Sequence, residues 1–145
     1  MLENIFTSEY SHQLDSKSRA VMPSKFREGL GKSFVVTRSL DKCLLVYTME
    51  EWEAVYEKVK KLPTADKQGR AFLRYFFGGA ATVEPDQQGR FLIPQQLREY
   101  AGITRELVSV GVSHRIEVWA KEEWEGLGAQ FPDDEIQAKM AELGI

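Results

Sequence analysis

Short apolar runs, rich in β-branched and aromatic residues, recur along the chain between polar or glycine-containing segments. Runs of this kind are typical of β-strands bounded by turns. The predicted strands cover 10–14, 34–37, 43–47, 107–112 and 115–119.

Three other segments have the periodicity of helices. Thr48 and Glu51 have the spacing of a capping box, which predicts a helix that runs to about Lys61. Its apolar residues recur at helical spacing and should face the core; they are Trp52, Val55, Tyr56 and Val59. A second helix is predicted over 65–77, where Phe72, Tyr75, Phe76 and Phe77 form a core or subunit-interface face. A modest amphipathic helix is predicted over 133–143.

One stretch of the chain occurs twice, at 13–27 and at 84–98. Each copy has an Asp, then an Arg four residues later, a Pro four residues after that, and a second Arg after four more. All four positions repeat at a constant offset of 71 residues: Asp15, Arg19, Pro23 and Arg27 correspond to Asp86, Arg90, Pro94 and Arg98. Repetition at a fixed offset indicates an internal duplication.

Each copy is predicted to form a strand, a tight turn, a second strand and a short helix, the first helix covering 24–30. Asp opens such turns because its carboxylate accepts hydrogen bonds from backbone N–H groups two residues on. Gly89 lies where a turn of this kind often requires positive φ. Ser18 occupies that place in the first copy, so we expect the first turn to be looser or of another type.

The second strand of each copy should be short and apolar, at 21–22 and 92–93. Pro23 and Pro94 should end these strands and occupy the first position of each helix, since proline offers no N–H to a sheet. Phe26 and Leu97, three residues later, should bury the inner side of the helix.

The arginine that closes each turn has two interpretations. Arg19 and Arg90 could pair with Asp15 and Asp86 of their own turns and hold the hairpins together. Alternatively, a rigid hairpin tip could present the guanidinium group to a phosphate or to the edge of a guanine.

Composition is that of a globular protein without a metal centre. The 145 residues are 43% hydrophobic and 28% charged, with one cysteine and two histidines. Neither a signal peptide nor a membrane span is predicted, so we expect a cytoplasmic protein. Residues 1–80 hold 13 Lys and Arg against 10 Asp and Glu, whereas residues 81–145 hold 6 against 12. The first half is therefore weakly basic although the whole chain is acidic.

The motifs resemble those of the MraZ family over nearly the whole chain, from about Phe6 to Trp124. Ser18 departs from the glycine usual in that family. The matching segments are Tyr10-x-His12-x-Leu14-Asp15-x-Lys17-x-Arg19, Pro23-x-x-Phe26-Arg27, Arg38-x-Leu40-Asp41-Lys42-Cys43-Leu44, Glu51-Trp52, Phe76-Phe77, Asp86-x-x-Gly89-Arg90, Ile93-Pro94 and Gly111-Val112-Ser113-x-Arg115-Ile116-Glu117-Val118-Trp119.

The resemblance implies an α+β fold in which two tandem AbrB-like swapped-hairpin units form a pseudo-dimeric, β-barrel-like body with peripheral helices. On this basis the chain divides into a first AbrB-like domain at 7–50, a helical connector at 51–78, a second domain at 79–122 and a tail at 123–145.

The function implied is that of a sequence-specific, DNA-binding transcriptional regulator of the division and cell-wall gene cluster. Its partners would be double-stranded promoter DNA with direct repeats and further copies of itself in a ring, in the cytoplasm at the nucleoid. No cofactor, metal, membrane or small-molecule substrate is expected. The expected DNA-binding residues are Lys17, Arg19, Lys25, Arg27, Arg38 and Arg90, and the turn-structuring residues are Asp15, Asp86 and Gly89. Arg19 should matter more than Arg90, because Gln87 and Gln88 replace lysine in the second turn.

Two other classes of function compete with this one. In an enzyme, Asp15 and Asp86 would form a carboxylate pair with His12 or His114 as a base. Each Asp has a nearby Arg that would lower its pKa, however, and the sequence has neither a phosphate-binding glycine loop nor a nucleophile elbow. A structural or protein-interaction module without DNA binding is the stronger alternative.

Overall fold

The computed structural model describes residues 5–128 and 133–145. The predicted tail includes residues 129–132, which lie outside the described residues. The first copy and its connector comprise β1 (Glu9–Gln13), β2 (Arg19–Val21), α1 (Ser24–Leu30), β3 (Phe34–Arg38), β4 (Leu44–Thr48), α2 (Met49–Val59) and α3 (Lys67–Phe76). The second copy and the tail comprise β5 (Ala81–Val83), β6 (Arg90–Leu92), α4 (Gln95–Ala101), β7 (Glu106–Val112), β8 (Arg115–Ala120), α5 (Lys121–Gly128) and α6 (Asp133–Leu143).

The two copies exchange strands. Among the described residues, six strands form an antiparallel main sheet in the order β1-β7-β8-β4-β3-β5, and β2 pairs with β6 in a separate small sheet. The first strand of each copy therefore pairs with a strand of the other copy, β1 with β7 and β5 with β3. This pairing confirms an α+β fold in which the duplicated units are interleaved.

The main sheet is open, with β1 and β5 at its two edges in the described part of the chain. The expectation of a barrel-like body is therefore wrong in this respect. The strands that follow the two turns, β2 and β6, do not join the main sheet and pair only with each other. They cover one face of the main sheet, which we name the inner face.

The core lies between the inner face, the small sheet and the helices α1 and α4. Phe26 and Leu97 are buried there, as the sequence predicted, beside Phe34 of β3 and Ile116 of β8. The ring of Phe34 meets that of Phe91 edge-on with centroids 5.3 Å apart, which joins β3 of the first copy to β6 of the second. Because both copies supply this core, neither buries its apolar surface alone.

The opposite, outer face of the main sheet carries the remaining helices. The connector helices α2 and α3 cover Val35, Leu45 and Tyr47, whereas α5 covers residues of β7 and β8. Thr48 caps α2 as predicted, because its hydroxyl oxygen accepts a hydrogen bond from the Glu51 N–H at 3.0 Å. Tyr56 points into solvent instead of the core.

The strands that follow the two turns begin earlier than predicted. β2 and β6 start at Arg19 and Arg90, and Met22 and Ile93 follow them as buried residues. The prediction placed the strands on apolar residues alone. An arginine can also form the backbone hydrogen bonds of a strand when its side chain points outward. Pro23 and Pro94 precede their helices as N-cap residues, with φ of −52° in both cases, and are not the first helical residues.

Among the described residues, no helix has the length and apolar character that crossing a membrane requires.

Gly111 permits a close approach that a side chain would block. A Cβ at this position would lie 2.4 Å from the Thr7 backbone N and 2.5 Å from the Phe6 carbonyl carbon. We therefore expect Gly111→Ala to destabilise the fold by about 1–3 kcal/mol in urea unfolding. Gly126→Ala is the matched control: a Cβ there meets nothing within 4 Å, and alanine favours helix α5. An unchanged midpoint for Gly111→Ala would contradict the packing of the N-terminal segment on β7.

Candidate nucleic-acid interface

The carboxylate of Asp15 organises the first turn. Its Oδ1 accepts hydrogen bonds from the backbone N–H groups of Lys17 and Arg19, both at 2.9 Å, and its Oδ2 accepts one from Nε of Arg19 at 2.8 Å. The Ser18 N–H donates to the Asp15 carbonyl at 3.0 Å. A single side chain thus fixes both the backbone of the turn and the orientation of the guanidinium group.

The second turn repeats this network. Oδ1 of Asp86 accepts from the N–H groups of Gln88 and Arg90 at 2.9 Å, and Oδ2 accepts from Nε of Arg90 at 2.7 Å. Gly89 has a φ of 83° and Ser18 a φ of 62°. The expectation of a different first turn is therefore wrong. Ser18 adopts the left-handed conformation, at a cost of roughly 1–2 kcal/mol, which the hydrogen bonds around Asp15 offset.

The pairing of each arginine with its own aspartate, one of the two interpretations above, is confirmed. It engages only the Nε edge of the guanidinium group. In residues 5–128 and 133–145, no protein group accepts a hydrogen bond from Nη1 or Nη2 of Arg19 or Arg90. The two interpretations are therefore compatible, because each arginine can hold its turn through Nε and present its Nη groups outward.

Hydrogen bonds to the turn carboxylates also lower their pKa values. The backbone N–H of Arg19 is the largest influence that lowers the pKa of Asp15, and the Lys17 N–H and the Arg19 guanidinium add to it. The Arg90 N–H acts in the same way to lower the pKa of Asp86. Both carboxylates therefore stay charged at a lower pH than an ordinary aspartate does.

The small sheet brings the two turns together on one outward surface. In its antiparallel register Arg19 lies opposite Leu92, and Val21 lies opposite Arg90. Ala20 and Phe91 lie opposite each other and point into the core. The side chains of the two pairs on either side of them therefore share the outer side of the sheet. Strand geometry places Arg19 and Arg90 on a diagonal of the small sheet, with their Cα atoms about 7–8 Å apart. We call these four residues with the two turns the two-turn surface.

Val21 and Leu92 were not identified as site residues from the sequence. They are 39% and 56% exposed, and both occur in segments predicted to be short apolar strands. The alternation of outward Arg19, buried Ala20 and outward Val21 was the signal that could have identified them.

The other predicted cations of the first copy lie in different surroundings. Lys17 is exposed in the first turn, and Lys25 is exposed on α1. Arg27 crosses to the second turn, where Nη1 donates to the Gln87 carbonyl at 3.3 Å. Its Nε is buried without a hydrogen-bond partner among the described residues.

Arg27 can pack on the second turn because Gly89 has no side chain. A Cβ on Gly89 would lie 3.0 Å from Cδ, Cζ and Nε of Arg27. Ser18 carries a Cβ at the equivalent position, and Arg98, the counterpart of Arg27, instead donates from Nε to the Ile93 carbonyl at 3.0 Å. The second turn therefore gains a cation that its own sequence lacks. The expectation that Arg19 matters more than Arg90 for DNA binding no longer follows from the number of cations beside each turn.

Arg38 lies against the connector. Its guanidinium group is 5.1 Å from the centre of the Tyr75 ring, and a Cβ on Gly79 would lie 2.5 Å from its Nε. The structure thus brings five of the predicted DNA-binding residues to the turns and the neighbouring helix α1, and places Arg38 elsewhere.

Three of the four groups considered for an enzyme, Asp15, Asp86 and His12, form other contacts, and His114 is exposed. Asp15 and Asp86 hold their own turns, and Nε2 of His12 lies 3.0 Å from the Ser109 hydroxyl in the β1–β7 pair. Burial lowers the pKa of His12. Within the described residues, no group of three or more His, Cys, Asp or Glu side chains has the arrangement of a metal site.

Comparisons with known proteins agree with the duplicated architecture. The family model described as "MraZ protein, putative antitoxin-like" matches residues 5–75 and again residues 76–143. A transcriptional regulator MraZ from Clostridium tetani is 52% identical over 142 residues, covering 97% of this chain and 100% of the relative. Its counterpart from Acetivibrio thermocellus is 51% identical over 143 residues with the same coverage. That from Caldicellulosiruptor bescii is 52% identical over 139 residues, covering 94% of this chain and 97% of the relative.

The lowered pKa values of Asp15 and Asp86 predict a specific loss of stability in acid. Both groups have a pKa near 3.8 when unfolded and a lower one when folded, so their contribution is complete above about pH 5 and disappears as the pH falls through the folded values. We expect Asp15→Asn/Asp86→Asn to be less stable than wild type at pH 7, with the difference shrinking toward pH 2 in urea unfolding. The control is Glu53→Gln/Glu125→Gln, which removes two exposed carboxylates outside the turns. A difference that stays constant with pH would show that the turn carboxylates do not act through their charge.

Proposed function

The chain belongs to the MraZ family, and we propose that it is a sequence-specific DNA-binding transcriptional regulator that contacts DNA through its two-turn surface. The observation that carries this proposal is the paired geometry of Arg19 and Arg90. Each is oriented by a carboxylate of its own turn and leaves its Nη groups without a protein acceptor among the described residues.

The shape of the two-turn surface fits the major groove of DNA. That groove admits a two-stranded antiparallel ribbon, and β2 with β6 is such a ribbon. The ribbon is anchored by its buried side, where Ala20 and Phe91 pack into the core. Its outward side chains are therefore held in place relative to one another before any DNA binds.

The aspartates favour recognition by restricting the arginines. A free arginine loses much rotameric entropy when it is immobilised at an interface, and a side chain already held by its Nε loses less. The outward Nη groups can then form bidentate hydrogen bonds to O6 and N7 of a guanine. Val21 and Leu92 lie between the two arginines and offer apolar contacts of the kind that suit thymine methyl groups.

Lys17 and Lys25 are assigned to the phosphate backbone. Both are exposed cations, Lys17 in the first turn and Lys25 on α1, and contacts of this type position a protein without reading sequence. Arg27 is assigned a supporting role at the second turn, where its guanidinium adds positive charge while packing on Gly89. Arg38 is assigned to the connector because it packs on Tyr75.

We assign the fold to the AbrB-like swapped-hairpin type, with each chain as a pseudo-dimer and with units at 7–50 and 79–122. The exchange of β1 and β5 between the copies supports this assignment. A cytoplasmic, nucleoid-associated location and control of the division and cell-wall gene cluster follow from the family resemblance.

Binding by a single chain should be weak, because one two-turn surface reaches only a few base pairs. We therefore propose that several copies assemble into a ring and engage direct repeats in promoter DNA. Each further surface then binds at high effective concentration, which raises avidity by about 10²–10⁴-fold without new types of contact.

Substitution of the turn arginines tests the DNA-binding surface. We expect Arg19→Ala and Arg90→Ala each to weaken binding to DNA from upstream of the protein's own gene by about 5- to 150-fold, corresponding to about 1–3 kcal/mol for a lost bidentate contact. Arg74→Ala removes the same charge from the exposed side of α3 and should bind like wild type. Fluorescence anisotropy at several salt concentrations measures the effect, and circular dichroism confirms folding. Folded wild-type protein that binds no DNA would favour a protein-interaction module instead.

The spacing of the repeats tests the multivalent arrangement. Repeats about 10 base pairs apart present the same face of the duplex to neighbouring surfaces, whereas an insertion of about 5 base pairs turns the second repeat to the opposite face. We expect that insertion to reduce affinity close to that of a single repeat in an electrophoretic shift, while an insertion of about 10 base pairs restores much of it. Equal affinity for all three spacings would exclude simultaneous engagement of neighbouring repeats.

A further inference from the structure

The helix α6 exposes an apolar stripe. Ile136, Met140 and Leu143 follow one another at helical spacing and are 44%, 43% and 64% exposed. An isolated helix of 11 residues is marginal in water, because most helical stability in proteins comes from packing of the apolar side. The stripe is therefore suited to pack against another surface.

A groove on the outer face of the main sheet offers an apolar floor. It lies between the connector helices and β4, has a volume of about 370 Å³, and is formed by Leu45, Tyr47, Val55, Phe72 and Phe76. We call it the connector groove. Leu40, at its margin, is 97% exposed and extends the apolar surface of the groove.

Two arginines flank the connector groove. Arg38 lies over the ring of Tyr75 and Arg115 over the ring of Tyr47, with the guanidinium carbons 5.1 and 5.9 Å from the ring centres. Neither forms an ion pair with a carboxylate in the described part of the chain. The groove thus combines an apolar floor with two arginines that form no ion pair within residues 5–128 and 133–145.

The charges of α6 match those of the connector groove. Its first turn carries Asp133, Asp134 and Glu135, and the nearest basic residue on the helix is Lys139. The depression on the other half of the outer face, beside α5, has three carboxylates in its lining, Asp41, Glu122 and Glu123. Its one cation, Lys42, is paired with Glu123 at 3.2 Å, so the depression has a net negative charge and would repel such a helix. Charge therefore selects the connector groove over the α5 side.

We propose that α6 of one chain packs into the connector groove of a second copy, with its apolar stripe on Phe72 and Phe76 and its acidic first turn toward Arg38 and Arg115. The occupant is a second copy because all residues of α6 are exposed in its own chain. This contact deepens the assembly step of the proposed function and rests on it for its biological role. Since donor helix and acceptor groove are different surfaces, the contact is heterologous and propagates from chain to chain until a ring closes.

Polar substitution of the stripe tests the contact in the full chain without DNA. We expect Ile136→Ser/Met140→Ser to raise the concentration of half-assembly in sedimentation velocity by at least about tenfold, because two buried apolar side chains are lost from each contact. Ala138→Ser/Ala141→Ser alters the other side of α6 and should assemble like wild type. Wild-type assembly by the stripe variant, or wild-type protein that stays monomeric at all concentrations, would overturn the proposal.

Charge reversal tests the orientation of the helix. Arg38→Glu/Arg115→Glu should weaken assembly, and Asp133→Lys/Asp134→Lys/Glu135→Lys in the same chain should restore much of it. If the reversals weaken assembly additively without rescue, the acidic turn does not meet these arginines and the proposed docking is wrong.

Measuring assembly and DNA binding on the same variants distinguishes failure of the docking from failure of the proposed function. Arg19→Ala should assemble normally while binding DNA poorly, and the stripe variant should bind a single repeat like wild type while losing the advantage of tandem repeats. Assembled protein without DNA binding would overturn the proposed function alone. DNA binding by protein that assembles without α6 would overturn the docking alone.

Discussion

The exchange of strands between the two copies is the constraint on which the rest of the structure depends. Each copy sends its first strand to the far edge of the partner copy and its second strand to the small sheet, so that no copy can close its own core. The contact between Phe34 and Phe91 illustrates the result, because it joins the main sheet of one copy to the small sheet of the other. Folding and formation of the two-turn surface are therefore the same event: the ribbon that carries Arg19 and Arg90 exists only when both copies are in place.

The two turns connect this constraint to chemistry. The carboxylate of Asp15 binds two backbone N–H groups of its turn and also Nε of Arg19. The backbone of the turn therefore determines where the guanidinium group lies. The antiparallel register of β2 and β6 then converts two equal turns into one surface with approximate two-fold symmetry. The surroundings of the two turns differ, since Arg27 packs on Gly89 whereas Nε of Arg98 donates to the Ile93 carbonyl. The second turn therefore receives an additional cation from the first copy.

Local features were predictable from the sequence, whereas features that depend on pairing between distant segments were not. The helix 24–30, the cap at Thr48 and the tail helix 133–143 follow from spacing and capping, and the structure has all three. The role of each turn aspartate also follows, because its partners lie within four residues. The crossing of Arg27 to the second turn requires knowledge of which copy faces which, and the packing of Arg38 on Tyr75 requires the position of the connector. Family resemblance anticipated the interleaved units but overstated the closure of the sheet.

The two faces of the main sheet place different demands on the duplicated sequence. The inner face must close a shared core, and both copies meet this demand with the same elements: a turn, a short strand and a seven-residue helix. The outer face carries no such demand, and there the copies diverge, with two packed helices on the first half and α5 on the second. Tyr47 with Trp52 and Trp119 with Trp124 preserve one ring contact in each half, at 5.6 and 5.9 Å. Beyond that contact, the first half adds Phe76, which stacks on Trp52. The outer face is therefore the part of the molecule on which exposed apolar groups and arginines can accumulate without disturbing the geometry of the two turns.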